Sequence, residues 1–165
     1  MLIGAARTPA DLEAMVDRRV AGQPLEHILG WADFAGLRIA VDPGVFVPRP
    51  RTELLVREAA ALVRQAAAID RPAAGRSLSW RAVVVDLCCG SGAVGLALVA
   101  ALDQGELHAV DLDPAAVRCA RRNVAAGGAR VYEGDLFAPL PAGLRGRVDV
   151  LVANARPTCP PRRSA

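Results

Sequence analysis

The stretch Val83 to Gly95, VVVDLCCGSGAVG, constrains the fold of this 165-residue chain more than any other. Ala82 to Leu87, apolar except for Asp86 near its end, reads as a strand buried on both faces. The glycines then form a tight turn, and Ser91 to Leu102 reads as a helix. Downstream the rhythm repeats. Leu107 to Val110 reads as a strand and Pro114 to Ala125 as a helix, with Asp113 as its cap and Pro114 at its first position. Arg130 to Glu133 and Val148 to Ala153 read as further strands. Strand alternating with helix predicts an α/β fold, a parallel sheet with helices on both faces. Such a sheet carries its ligand at the carboxyl ends of its strands.

Upstream, Thr8-Pro9-Ala10-Asp11 reads as an N-cap, a first-turn proline and a capping acid, so a short helix should run to about Val20 and stop at Gly22. Leu37 to Val41 and Val45 to Val47 alternate around Asp42-Pro43-Gly44, which predicts a hairpin. Thr52 can cap a helix from Glu53 to about Ile69. Arg71 to Arg81 reads as a polar linker. The longest apolar runs are interrupted, so no membrane span is expected. No basic region precedes the first apolar residues, so a cytoplasmic location is expected.

Composition narrows the function. The chain has no lysine, and its net charge of +3 comes from Arg156, Arg162 and Arg163. The body of the chain is neutral, which speaks against a nucleic-acid surface. Cys88, Cys89, Cys119 and Cys159 have no metal-ligand spacing and read as reduced thiols, so no metal is expected.

Glycines at Gly90 and Gly92 bring backbone N–H groups close to a ligand. They match a dinucleotide fingerprint, and an NAD(P) site is one reading. Asp86, at the strand end before them, argues otherwise. A carboxylate there repels a pyrophosphate and suits a cationic or amine-bearing group. It could instead simply cap the next helix. Asp111 ends the second strand in HAVDLDP, where a carboxylate can accept from both ribose hydroxyls of either ligand. Asp135, in EGDLF, could accept from an adenine amino group, with Leu136 or Phe137 against the ring. Gly134-Asp135 is also a common loop pair.

With Asp86, Gly90, Gly92, Asp111 and Asp135 in order, the chain resembles the class I S-adenosylmethionine-dependent methyltransferases, a Rossmann-like fold. QPLEHILGWADFAGLRIAVDPGVFVPRPRTELLV, Gln23 to Val56, resembles more narrowly the interdomain hairpin and P-R-P-x-T-E segment of the HemK/PrmC-type protein-(glutamine-N5) methyltransferases. This resemblance implies S-adenosyl-L-methionine as cofactor, held by Asp86, Cys88, Gly90, Gly92, Asp111, Leu112, Asp135 and Leu136. It implies methyl transfer to a glutamine side-chain amide of a protein, a peptide chain release factor. It assigns catalysis to Asn154 and substrate contact to Asn154 and Ala155, in the place of an Asn-Pro-Pro-Tyr motif whose first two residues accept the amide hydrogens. Because such motifs also serve flipped adenines, a nucleic-acid adenine methyltransferase is an alternative. A non-catalytic cofactor-binding fragment is another.

Division of the chain follows from the resemblance: residues 1–22 as a remnant of a substrate-docking helical domain, 23–52 as the hairpin linker, 53–155 as a partial catalytic domain. Its incomplete sheet should hold four parallel strands in the order three-two-one-four. Two departures stand out. Cys88 replaces a usual glycine, and VANARPTCPPRRSA has no tyrosine after Asn154. A two-base shift at the Ala155 codon would turn Arg-Pro-Thr-Cys-Pro-Pro into Pro-Tyr-Val-Pro-Thr and restore Asn-Ala-Pro-Tyr. Residues 156–165 are therefore expected to be out of frame, and this chain to bind cofactor weakly with little turnover.

Overall fold

The computed structural model describes residues 1–70, 81–103, 105–125 and 128–155. Residues 71–80 of the linker expected over 71–81, and the tail from residue 156, lie outside the described residues. After a single turn, α1 (Leu2–Ala5), comes α2 (Pro9–Val20). Thr8 Oγ1 accepts the Asp11 N–H at 3.1 Å, and the Asp11 carboxylate accepts the Arg7 N–H at 3.0 Å. The capping acid thus closes on the residue before the N-cap. A short helix the sequence reading lacks, α3 (Leu25–Leu29), ends at Gly30 with φ +81°, the left-handed cap that glycine allows.

The hairpin differs from expectation. It pairs β1 (Trp31–Phe34) with β2 (Leu37–Ala40), not residues 37–41 with 45–47. Its two-residue turn is Ala35-Gly36, both at positive φ (+50° and +77°), the geometry that suits the twist of an antiparallel pair. Val45 and Val47 form no strand. With Val41 and Ala32 they bury against Cys119, so their alternation serves packing on a helix and not pairing. Glu53 Oε1 accepts the Ala35 N–H at 3.1 Å and anchors the hairpin tip.

A 3-10 turn at Pro50–Thr52 leads into α4 (Glu53–Asp70). Its buried residues Val56, Ala59, Ala60 and Val63 fall at i, i+3, i+4 and i+7, one helical stripe. Then β3 (Ala82–Leu87), α5 (Ala93–Ala101), β4 (Gly105–Asp111), α6 (Pro114–Val124), β5 (Arg130–Glu133) and β6 (Val150–Ala153) follow. All four strands are parallel, in the order β5-β4-β3-β6, the three-two-one-four order expected. Every residue of β3 is buried, the carboxylate of Asp86 among them. The last strand begins at Val150 and not Val148, because Asp149 reaches β3 with its own amide and its carboxylate, which accepts the Val83 N–H at 2.8 Å.

Helices on both faces are not what the described residues show. Side chains of α4, α5 and the end of α6 share one core cluster with Val84, Leu107 and Val152 on a single face of the sheet. On the other face Val85, Leu87 and Val110 pack with Tyr132 and Leu140, and Leu140 belongs to the connection between β5 and β6. The connection from β5 to β6, with one 3-10 turn at Ala142–Leu144 and no α-helix, covers that side.

Candidate active site

Strand ends decide where the site can be. Leu87 is level with Val110 and Ala153, and Asp111 with Glu133, so the loops leaving all four strands gather at one edge. The first loop is held by its own backbone. Cys89 N–H bonds Val110 O at 3.0 Å and Gly92 N–H bonds Cys89 O at 2.8 Å. Cys88, Gly90 and Gly92 all have positive φ (+55°, +56° and +76°), so the thiol residue sits in a conformation that favours glycine. Gly95 needs no special φ; a Cβ there would lie 2.7 Å from Leu107 Cδ1 and 2.9 Å from Asp86 Oδ2. The third glycine of the fingerprint lets α5 approach the sheet.

Asp86 is 1% exposed. Its Oδ2 accepts the Gly95 N–H, in the first turn of α5, at 2.8 Å. The helix-capping role left open by the sequence is therefore real. The same carboxyl also lines the cleft, so the two readings are compatible. Burial pushes its pKa up to about 7, the Gly95 N–H opposes this, and Asp111 adds to it. Asp111 is oriented by the turn it faces: Oδ2 accepts Gly90 N–H at 2.8 Å and Oδ1 accepts Asp113 N–H at 3.0 Å. Each oxygen keeps further acceptor capacity. Burial, then the nearby Asp111, Asp86 and Asp135, push the Cys88 thiol up. The field in this cleft is negative, and the thiol is protonated at neutral pH.

The cleft encloses about 440 Å³, within the range of small-molecule sites. Asp86, Cys88, Gly90, Asp111, Leu112, Asp135, Leu136 and Asn154 all line it. Of the residues singled out in the sequence, Gly92 and Ala155 do not; Gly92 packs toward Ala120 of α6, and Phe137 also stands outside. Leu112 and Leu136 are 70% and 47% exposed at the rim, two apolar side chains with nothing over them among the described residues. The opposite wall, Val45, Phe46, Pro48 and Thr52, comes from the segment after the hairpin. Asn154, just past β6, donates through Nδ2 to Thr52 Oγ1 at 3.4 Å. Among the described residues no group of three or more His, Cys, Asp or Glu could hold a metal ion, and no helix is long and apolar enough to cross a membrane.

A parallel sheet opens an acidic cleft at its glycine turn, and the chain belongs to the methyltransferase small domain family, whose model matches residues 76–161. The HemK/PrmC-type resemblance is borne out by relatives. The chain is 40% identical over 146 residues to the release factor glutamine methyltransferase of Mycolicibacterium smegmatis, covering 88% of this chain and 47% of that protein. It is 39% identical over 139 residues to the 4-amino-L-phenylalanine/4-methylamino-L-phenylalanine methyltransferase of Streptomyces pristinaespiralis, covering 84% and 44%. The chain thus spans about half the length of the curated relatives it matches. Among solved structures, human methyltransferase 10 domain containing protein superposes with a TM-score of 0.51 at 15% identity, over 73% of this chain and 54% of that one, a likeness of fold.

Proposed function

We propose that this chain forms the cofactor-binding part of an S-adenosyl-L-methionine-dependent methyltransferase that acts on a glutamine side-chain amide of a peptide chain release factor, in the cytoplasm. One observation carries the reading: Asn154 opens into the same cleft as Asp86, Asp111 and Asp135 and touches Thr52 of the P-R-P-x-T-E segment. The cofactor would supply an activated methyl group on a positively charged sulfur. A negative cleft suits that charge and the adjacent amino group, and opposes the pyrophosphate of NAD. In this reading Asp111 accepts from the ribose hydroxyls, Asp135 from the adenine amino group, and Leu112 and Leu136 cover the ring. Asn154 Oδ1 and the Ala155 carbonyl accept the hydrogens of the substrate amide. An amide nitrogen is a poor nucleophile, so the residues' work is to orient it and exclude misaligned poses.

The first test is thermal protection. S-adenosylhomocysteine should raise the unfolding temperature and NADH should not; the reverse would overturn the reading. The second uses the departure after Asn154. Arg156→Pro with Pro157→Tyr recreates Asn-Ala-Pro-Tyr, and should transfer labelled methyl to a release factor while the unaltered chain transfers little. Label on 4-aminophenylalanine instead would favour a small-amine substrate, the activity named for the Streptomyces relative; label on adenine-containing DNA would favour a nucleic-acid enzyme. Resequencing the codons for Val152 to Ala165 tests the out-of-frame reading directly.

A further inference from the structure

One side chain outside the cleft makes three close hydrogen bonds that this reading leaves unused. Asn123, near the end of α6, accepts the Ala40 N–H on Oδ1 at 2.8 Å. Its Nδ2 donates to Ala40 O at 2.9 Å and to Ser91 O at 2.8 Å. Ala40 is the last residue of the hairpin. Val41 N–H bonds back to Gly30 O at 2.9 Å, so by alternation the N–H and C=O of Ala40 face out of the ladder. The Asn123 carboxamide pairs with both, as the peptide of a neighbouring strand would. The remaining N–H goes to Ser91, between Gly90 and Gly92. A single amide therefore ties the hairpin to the glycine turn. Neighbours on the same helix reinforce the first half of that tie: Cys119 Sγ meets Ala40 O at 3.2 Å, and Arg122 pairs with Asp42. Beyond Ala40 the chain becomes the cleft wall of Val45, Phe46 and Pro48; at Ser91 it is the cleft floor.

We propose that Asn123 is a positioning residue for cofactor binding: it fixes the spacing between the post-hairpin wall and the glycine turn, so that the cleft is preorganised. This rests on the cofactor reading above. Preorganisation raises affinity because the wall need not be ordered at the moment of binding. A side chain that merely packed would be replaceable by its isostere. Asp has the shape of Asn and can still accept from Ala40 N–H, but it has no N–H for Ala40 O or Ser91 O.

The experiment compares the unaltered chain, Asn123→Asp, Asn123→Ala and, as a stability control, Val117→Ala, a fully buried residue of the same helix. Asn123→Ala is included because an Asp carboxylate facing two carbonyls could unfold the chain. S-adenosylhomocysteine affinity is measured calorimetrically at a temperature where each variant is folded, and amide hydrogen exchange is followed over residues 41–47. Both Asn123 variants should lose at least tenfold in affinity and exchange faster over 41–47. Val117→Ala should lose comparable thermal stability with less than a twofold change in affinity. Wild-type affinity in the Asn123 variants overturns the proposal, whatever the exchange does, and so does lost affinity with unchanged exchange. If the unaltered chain binds no S-adenosylhomocysteine, the cofactor reading falls; exchange over 41–47 still decides whether Asn123 holds the wall, and unchanged exchange overturns that too.

Discussion

Asp86 is the penultimate residue of a fully buried strand, and its carboxyl is pushed up to about 7 chiefly by burial. In an unfolded chain an aspartate ionises near pH 4. Between those values the folded chain holds a proton that the unfolded chain has lost. The stabilisation is complete below about pH 4 and declines as pH rises to about 7. Urea midpoints from pH 4 to 8 should show the decline, and Asp86→Asn should remove it. Ligand affinity should run the other way, rising through pH 7 as the carboxylate ionises to meet a ligand ammonium, by up to about tenfold from pH 6 to 8. Calorimetric titration with S-adenosylhomocysteine at both values checks this, and a flat profile would remove Asp86 from the ligand contact. Cys88 offers a simpler case. At φ +55° it carries left-handed strain, and its exposed thiol is not part of the core. Cys88→Gly should gain about 1 kcal/mol, read as a higher urea midpoint at unchanged slope.

Among the elements, α5 lies against β3 and β4 because Gly95 has no Cβ. Gly95→Ala sets two effects against each other. Alanine gains about 1 kcal/mol as a helix former. Contacts of 2.7 Å to Leu107 and 2.9 Å to Asp86 bring overpacking that typically costs about 1–3 kcal/mol. The clash should win, and because it displaces Asp86, ligand affinity should fall along with the melting temperature. The same close packing explains what the sequence makes legible. β3 and β4 declare themselves through buried runs between glycine, proline and acid punctuation, β5 is a short half-buried strand, and the order of the sheet is what the family resemblance implies. The hairpin is misread because Val41, Val45 and Val47 alternate as a strand does while packing on α6. Helices are misplaced on both faces because nothing local marks the β5–β6 connection as a cover. Thr52 and Asn123 act on partners far along the chain, at Asn154 and Ala40. Neither bond leaves a periodic trace, so each becomes visible only once the fold brings the partners together.

At the scale of the molecule, the cleft belongs to two layers. Asp86 and Asp111 come from the parallel sheet and Asp135 from the loop leaving β5, while Val45, Phe46 and Pro48 come from the chain leaving the hairpin. The layers also share a core, since Phe34 and Ile39 of the hairpin lie in one cluster with Val84 of β3 and Leu98 of α5. A ligand bridging both should stabilise both by the same amount, because it binds only where wall and sheet are assembled. At a hundredfold excess over Kd that is about 2.7 kcal/mol. Hydrogen exchange read separately over β1–β2 and over β3–β4 should therefore slow by a common factor on adding S-adenosylhomocysteine. Protection confined to β3–β4 would mean that the sheet alone binds the ligand and the hairpin segment is a bystander. Equal protection would make the hairpin part of the binding unit, which is what its ties to α4 through Glu53 and to α6 through Asn123 require.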